Sequence, residues 1–132
     1  MDAALAFDTC FLIHWERERR KGLMGPAHRF LAHYHAAELK ISATALGEFS
    51  AGFSDKAHPV LRAVATGFEV LEADRETAWE YAMIFRDLKT KAMLIGANDL
   101  WIAASALRHQ LPLVTVNESE FRRVPGLHVI GY

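Results

Sequence analysis

Ala3-Ala-Leu-Ala-Phe7-Asp8-Thr9-Cys10 is the stretch that decides the fold. Five small or apolar residues run into an acid, and beyond it the pattern turns helical through about Arg20. A short unbroken apolar run bounded by a polar residue reads as a buried strand, the periodic segment after it as a helix, and Asp8 falls at their junction. A strand apolar on both faces is what a sheet covered by helices on each side demands, because neither face meets water.

The pairing of strand and helix recurs along the chain. Residues 39–43 read as a second strand, and Thr44 as the cap of a helix that carries Glu48 and Phe49 early and weakens at Gly52. Further strands are expected at residues 68–71, 112–116 and 127–130. Pro26 suits the first turn of a helix with an apolar stripe of Phe30, Leu31 and Tyr34. Another helix is expected over residues 59–65. The most regular one starts at Asp74, with Ala78, Ala82 and Phe85 on one face and Trp79, Met83 and Leu88 nearby. Leu100-Trp-Ile-Ala-Ala-Ser-Ala-Leu107 is a nearly continuous apolar helix, for which Asn98 is the expected cap and Asp99 a first-turn acid favoured by the dipole. Residues 118–121 make a single turn. Strands alternating with helices imply an α/β fold, with a mainly parallel central sheet of four or five strands and helices on both faces.

At 132 residues the chain fits one domain spanning 1–132. With 52% hydrophobic residues and 23% charged, it is too apolar for a disordered chain. No apolar run is long enough to cross a bilayer, and the early acid replaces the basic lead of a signal peptide, so a cytoplasmic protein without membrane contact is expected. The lone Cys10 excludes an internal disulfide. The net charge of −1 does not announce a nucleic-acid binder. Two basic stretches, Arg17, Arg19, Arg20 and Lys21 and then Arg86, Lys89 and Lys91, either attract phosphate or are solvated helix surface paired with acids such as Glu16 and Glu18.

Parallel sheets place ligands beyond the carboxyl ends of their strands, so the residues there carry the chemistry. Asp8 follows the first strand, Asp99 opens the most apolar helix, Glu48 lies early in a helix reached from a strand, and Asn117-Glu118-Ser119-Glu120 follows the fourth strand. Carboxylates gathered at one edge repel and raise one another's pKa unless cations or donors compensate. Mg²⁺ or Mn²⁺ is the natural compensation, since both favour carboxylate and water oxygens. Each acid has a plainer reading as well: Asp8 and Asp99 as helix caps, Glu48 and Glu120 as surface, Asn117 as a turn residue. The seven histidines show neither a cysteine cluster nor the helical pair of a zinc protease, so zinc is not expected. His14 reads as structural or surface, and Trp15, Phe30, Tyr34, Trp79, Tyr81 and Phe85 read first as core.

Four blocks, taken together and in order, resemble the PIN domain family, more narrowly the VapC-type toxin ribonucleases of toxin–antitoxin pairs. They are Phe7-Asp-Thr-Cys-Phe-Leu-Ile13, Ile41-Ser-Ala-Thr-Ala-Leu-Gly-Glu-Phe-Ser-Ala-Gly52, Asn98-Asp-Leu-Trp-Ile-Ala-Ala-Ser-Ala106 and Leu113-Val-Thr-Val-Asn-Glu-Ser-Glu-Phe-Arg-Arg-Val-Pro-Gly-Leu127. The resemblance makes Asp8, Glu48 and Asp99 the first three family carboxylates and Glu120 the fourth, with Glu118 as its rival. It assigns Thr115 and Asn117 to polar positions that arrange the metal site and its water. Cys10 stands where many relatives have Asn. The resemblance further implies Mg²⁺, with Mn²⁺ possible, hydrolysis of RNA to a 5′-phosphate and a 3′-hydroxyl, a structured RNA such as tRNA as one substrate class, a small cognate antitoxin and a homodimer.

Two other functions compete. A catalytically silent PIN-like module would bind RNA or protein without cutting. An Asp-based phosphotransferase would use Asp8 as phosphoacceptor, but Cys10 stands where a second Asp is wanted. A dinucleotide-binding domain is a weaker reading still, because no glycine-rich turn follows the first strand.

Overall fold

The computed structural model describes residues 3–132. Five strands, β1 (Ala4–Phe7), β2 (Glu38–Ser42), β3 (Glu69–Leu71), β4 (Leu113–Val114) and β5 (Val129–Ile130), form one sheet in the order β3-β2-β1-β4-β5. All four pairings are parallel, with Phe7 opposite Ile41 on one side and Val114 on the other. Seven helices connect and flank them: α1 (Thr9–Lys21), α2 (Pro26–His33), α3 (Ala43–Ser50), α4 (Pro59–Gly67), α5 (Arg75–Thr90), α6 (Ala97–Arg108) and α7 (Glu118–Phe121).

Strand alternation divides the core in two. Leu5, Phe7, Ile41 and Val114 face α1, α2 and α4, joining Phe11, Phe30, Val60 and Val64, whereas Ala6 and Leu113 face α5 and α6 among Ile84, Leu88, Leu100, Ile102 and Ala103. The Phe7 ring is the hub of the first layer, 4.5 Å from Phe11, 5.5 Å from Phe68 and 6.0 Å from Phe30 between centroids. Tilted and edge-on contacts of this kind add about 1 kcal/mol each to the area they bury. In the second layer the alanines of α6 let it approach the sheet closely, and Tyr81 of α5 stacks on Trp101 at 4.3 Å.

Several local expectations need correcting. Ser42, not Thr44, caps α3, its hydroxyl accepting from Ala45 N at 3.0 Å, because the strand ends one residue earlier. Gly96, not Asn98, is the N-cap of α6, so Asn98 lies inside the first turn with its side chain free for another partner. The buried stripe of α5 runs through Thr77, Ile84 and Leu88, leaving Ala78 exposed and Trp79 and Met83 turned outward. Alanine tolerates either environment in a helix, so alanines mark the wrong face when counted as core.

Glu18 also departs from the charged-surface reading. Glu16 takes both Arg19 and Arg20, while Glu18 turns inward and is 9% exposed. Its carboxylate accepts from Ala27 N and His28 N at 3.0 Å each and from His28 Nδ1 at 2.7 Å. It thereby caps α2 from a distance, since the N-cap Gly25 offers no side chain and Pro26 no N–H. Gly25 is required there because a Cβ would overlap that carboxylate. Burial pushes the Glu18 carboxyl up, but the His28 and Ala27 donors outweigh it and hold the pKa below its usual value. A lowered pKa in the folded state stabilises above the ordinary carboxylate range and is lost as pH falls through it. Glu18→Ala is expected to lower stability by about 2 kcal/mol at pH 7 and to narrow that gap near pH 3, as read from urea denaturation at the two pH values.

Candidate active site

The strand order places a switch point between β1 and β4, where the chain leaves toward opposite edges of the sheet and a crevice opens at the carboxyl ends. Asp8 follows β1 and Thr115 follows β4. Asp8 is only 2% exposed, yet both of its oxygens are satisfied: Oδ1 accepts from Phe11 N at 2.9 Å as the N-cap of α1, and Oδ2 accepts from the Thr115 hydroxyl at 2.5 Å. Thr115 is fully buried, and its oxygen in turn accepts from Asn117 N at 2.9 Å. Burial raises the Asp8 pKa and the Glu48 charge adds to it, while Thr115 and the helix amide work against them.

Glu48 reaches the same crevice from the exposed side of α3. Its Oε1 accepts from the Thr9 hydroxyl at 2.5 Å and its Oε2 from Asn98 Nδ2 at 2.9 Å. Neither Thr9 nor Asn98 stood out as a site residue in the sequence. The available signal was adjacency, since one follows Asp8 and the other precedes Asp99.

Asp99, in the first turn of α6, is partly buried and accepts no hydrogen bond from a described residue. Its carboxyl is pushed up to about 6, first by burial and then by the charges of Glu120, Glu48 and Asp8. All four acids therefore act on one space. Glu118 is engaged elsewhere, paired with Arg122 at 2.7 Å and packed against Gly131, which leaves Glu120 as the α7 carboxylate that bears on Asp99. The Cys10 thiol is pushed up by burial and then by Asp8, which keeps it protonated and a poor nucleophile; it accepts a long contact from Asn117 Nδ2 at 3.6 Å.

Among the described residues, no three Asp, Glu, His or Cys side chains are drawn together closely enough to hold a metal ion as they stand. Asp99 nevertheless feels the charges of Glu120, Glu48 and Asp8. A set of hard oxygens with Asp99 lacking donors fits a divalent ion that keeps several waters, as Mg²⁺ does.

The remaining candidates separate. His14 sits 2.6 Å from the Tyr132 hydroxyl, a structural pairing. Arg19 and Arg20 are occupied by Glu16 and Lys91 by Asp87, whereas Arg17 makes no ion pair among the described residues and shares a cleft of about 240 Å³ with Glu48.

A pKa raised in the folded state means that stability falls as pH rises, here between the ordinary 3.8 and about 6. That separation corresponds to about 3 kcal/mol in full, reduced to about 1 kcal/mol because solvent screens a partly exposed carboxylate. Asp99→Asn is therefore expected to stabilise the chelator-treated protein by about 1 kcal/mol at pH 7.5 and by nothing measurable below about pH 4, as read from denaturation midpoints.

A family model of the PIN domain matches residues 5–127. A protein named Ribonuclease VapC1 from Methanocaldococcus jannaschii is 31% identical over 124 residues, covering 93% of this chain and 82% of that protein. Another Ribonuclease VapC1, from Rickettsia felis, is 38% identical over 63 residues; the match covers 48% of this chain and only 47%, about half, of that relative. Among solved structures, VapBC2 from Rickettsia felis bound to a DNA fragment from its promoter superposes with a TM-score of 0.83 at 22% identity, covering 97% of this chain and 98% of the other, a likeness of fold. A toxin-antitoxin complex from Klebsiella pneumoniae gives a TM-score of 0.72 at 25% identity, covering 96% of each chain. With its parallel five-stranded sheet and acids gathered at the switch point, this chain belongs to the PIN domain family.

Proposed function

We propose that the chain is a metal-dependent endoribonuclease and the toxin of a toxin–antitoxin pair, with residues 1–132 acting as one nuclease domain. The observation that carries this reading is Asp99, a partly buried carboxylate without a donor among the described residues that feels Glu120, Glu48 and Asp8 together. Evolution toward stability alone has no use for such repulsion, whereas a cation site does. The ribonuclease names of the relatives and the toxin-antitoxin complex among the structural neighbours support the choice of RNA and of a small antitoxin partner. A homodimer, Mg²⁺ or Mn²⁺ as the ion, structured RNA such as tRNA as substrate and a cytoplasmic location belong to the same proposal. Among the described residues no helix is long and apolar enough to cross a membrane.

In this reading Asp8 and Asp99 would hold the ion directly, and Glu48 and Glu120 would complete its shell or hold its waters. When bound, a divalent ion supplies charge to the phosphoryl oxygens and lowers the pKa of water. Thr115, committed on both sides to Asp8 and Asn117 N, keeps the Asp8 carboxylate aimed. The Asn117 side chain then orients the attacking water in line with the departing 3′-oxygen, leaving a 3′-hydroxyl and a 5′-phosphate. Arg17, which makes no ion pair among the described residues, holds an RNA phosphate by its forked donors.

Partner-free protein incubated with a panel of structured RNAs is expected to cleave with Mg²⁺ or Mn²⁺ and not with chelator. Asp8→Asn and Asp99→Asn are each expected to lower that cleavage about a hundredfold or more while far-UV circular dichroism stays unchanged. Undiminished cleavage in both variants contradicts the assignment, and binding without cleavage in the wild type favours a silent module.

A further inference from the structure

We propose that Thr9 and Asn98 are positioning residues: they clamp the Glu48 carboxylate and, through it, hold the starts of α1 and α6, and so Asp8 and Asp99, at a fixed spacing. This rests on the reading that these acids share a divalent ion.

Glu48 is exposed on α3 and lies 39 residues from Thr9 and 50 from Asn98. A free glutamate there would sample many rotamers, which ordering must remove. Two donors on two different oxygens remove that freedom. The Thr9 hydroxyl takes Oε1 at 2.5 Å and the Asn98 amide takes Oε2 at 2.9 Å, both within the range of charge-assisted hydrogen bonds.

The position of the donors matters as much as their number. Thr9 is the first residue of α1, directly after Asp8, and Asn98 is in the first turn of α6, directly before Asp99. Glu48 is thus a bridge between the two helix starts that present the other acids. The two helices lie in different core layers, and α3, which carries Glu48, contacts both.

The chemical type of the donors is informative as well. Both are neutral, so they orient Glu48 without cancelling its charge, and that charge still raises Asp8 and Asp99. Lys or Arg in either place would pair with Glu48 and weaken the pull on a cation. Each Glu48 oxygen also keeps a lone pair for a water. Asp8 and Glu48 are thus held by protein donors, whereas Asp99 has no protein donor among the described residues and keeps its oxygens open to an ion. Positioning groups behind metal-binding carboxylates are commonly worth tenfold or more in affinity.

The test uses the full chain without RNA and Mn²⁺ alone as probe, with binding read by calorimetry and by the electron paramagnetic resonance signal of free Mn²⁺. Thr9→Val and Asn98→Ala are each expected to weaken Mn²⁺ binding about tenfold with little change in the metal-free melting temperature, and Thr9→Ser to bind like the wild type. In a Glu48→Ala background both substitutions are expected to have no further effect, because their action runs through Glu48. Wild-type affinity in Thr9→Val and Asn98→Ala overturns the clamp and leaves the metal site standing. Full additional losses in the Glu48→Ala background overturn it too. Absence of Mn²⁺ binding by the wild type overturns the metal reading and the clamp with it, a result distinct from the other two.

Discussion

The structure turns on the burial of one carboxylate. Asp8 is 2% exposed at the end of the central strand, a place where an ion without partners would be too costly to keep. It stays because α1 starts there and offers Phe11 N, and because β4 delivers the Thr115 hydroxyl from the neighbouring strand. The parallel β1–β4 pairing is what makes those two donors converge, and it exists only because the chain switches direction between these strands. Sheet order, helix start and site are one arrangement seen at three scales.

Around that acid the electrostatics are deliberately uneven. Asp8 and Glu48 are each held by two donors, while Asp99 has none from the described residues and is pushed up to about 6. Such a division leaves Asp99 as the carboxylate whose charge the described protein donors compensate least. The same logic explains why Cys10 is harmless in the middle of the site. A thiol surrounded by burial and carboxylates stays protonated, filling space and accepting the long contact from Asn117 Nδ2.

How much of this the sequence disclosed depended on how local the cause was. The strand and helix order followed from apolar runs and their interruptions, and Asp8 and Asp99 were visible as junction residues because a strand end or helix start marks each. The α5 face was misjudged since alanine is indifferent to burial, and Ser42 displaced Thr44 as a cap because a strand boundary moved by one residue. Glu18 was hidden for a different reason: nothing local distinguishes it from Glu16, and only the fold brings α2 to it. Thr9 and Asn98 were legible as neighbours of acids but not as partners of Glu48, a contact made across 39 and 50 residues. The resemblance already favoured Glu120 over Glu118, and only the fold shows why Glu118 is engaged elsewhere, paired with Arg122 and packed against Gly131.

The most direct test of the shared acidic site is the titration of the Asp99 carboxyl carbon by ¹³C NMR in the RNA-free protein, with chelator and then with Mg²⁺. The account predicts a midpoint near 6 in chelator, moving below the ordinary value of 3.8 when Mg²⁺ is present. A midpoint at the ordinary value in both conditions would contradict it, since Asp99 would then neither feel the other three carboxylates nor meet a cation.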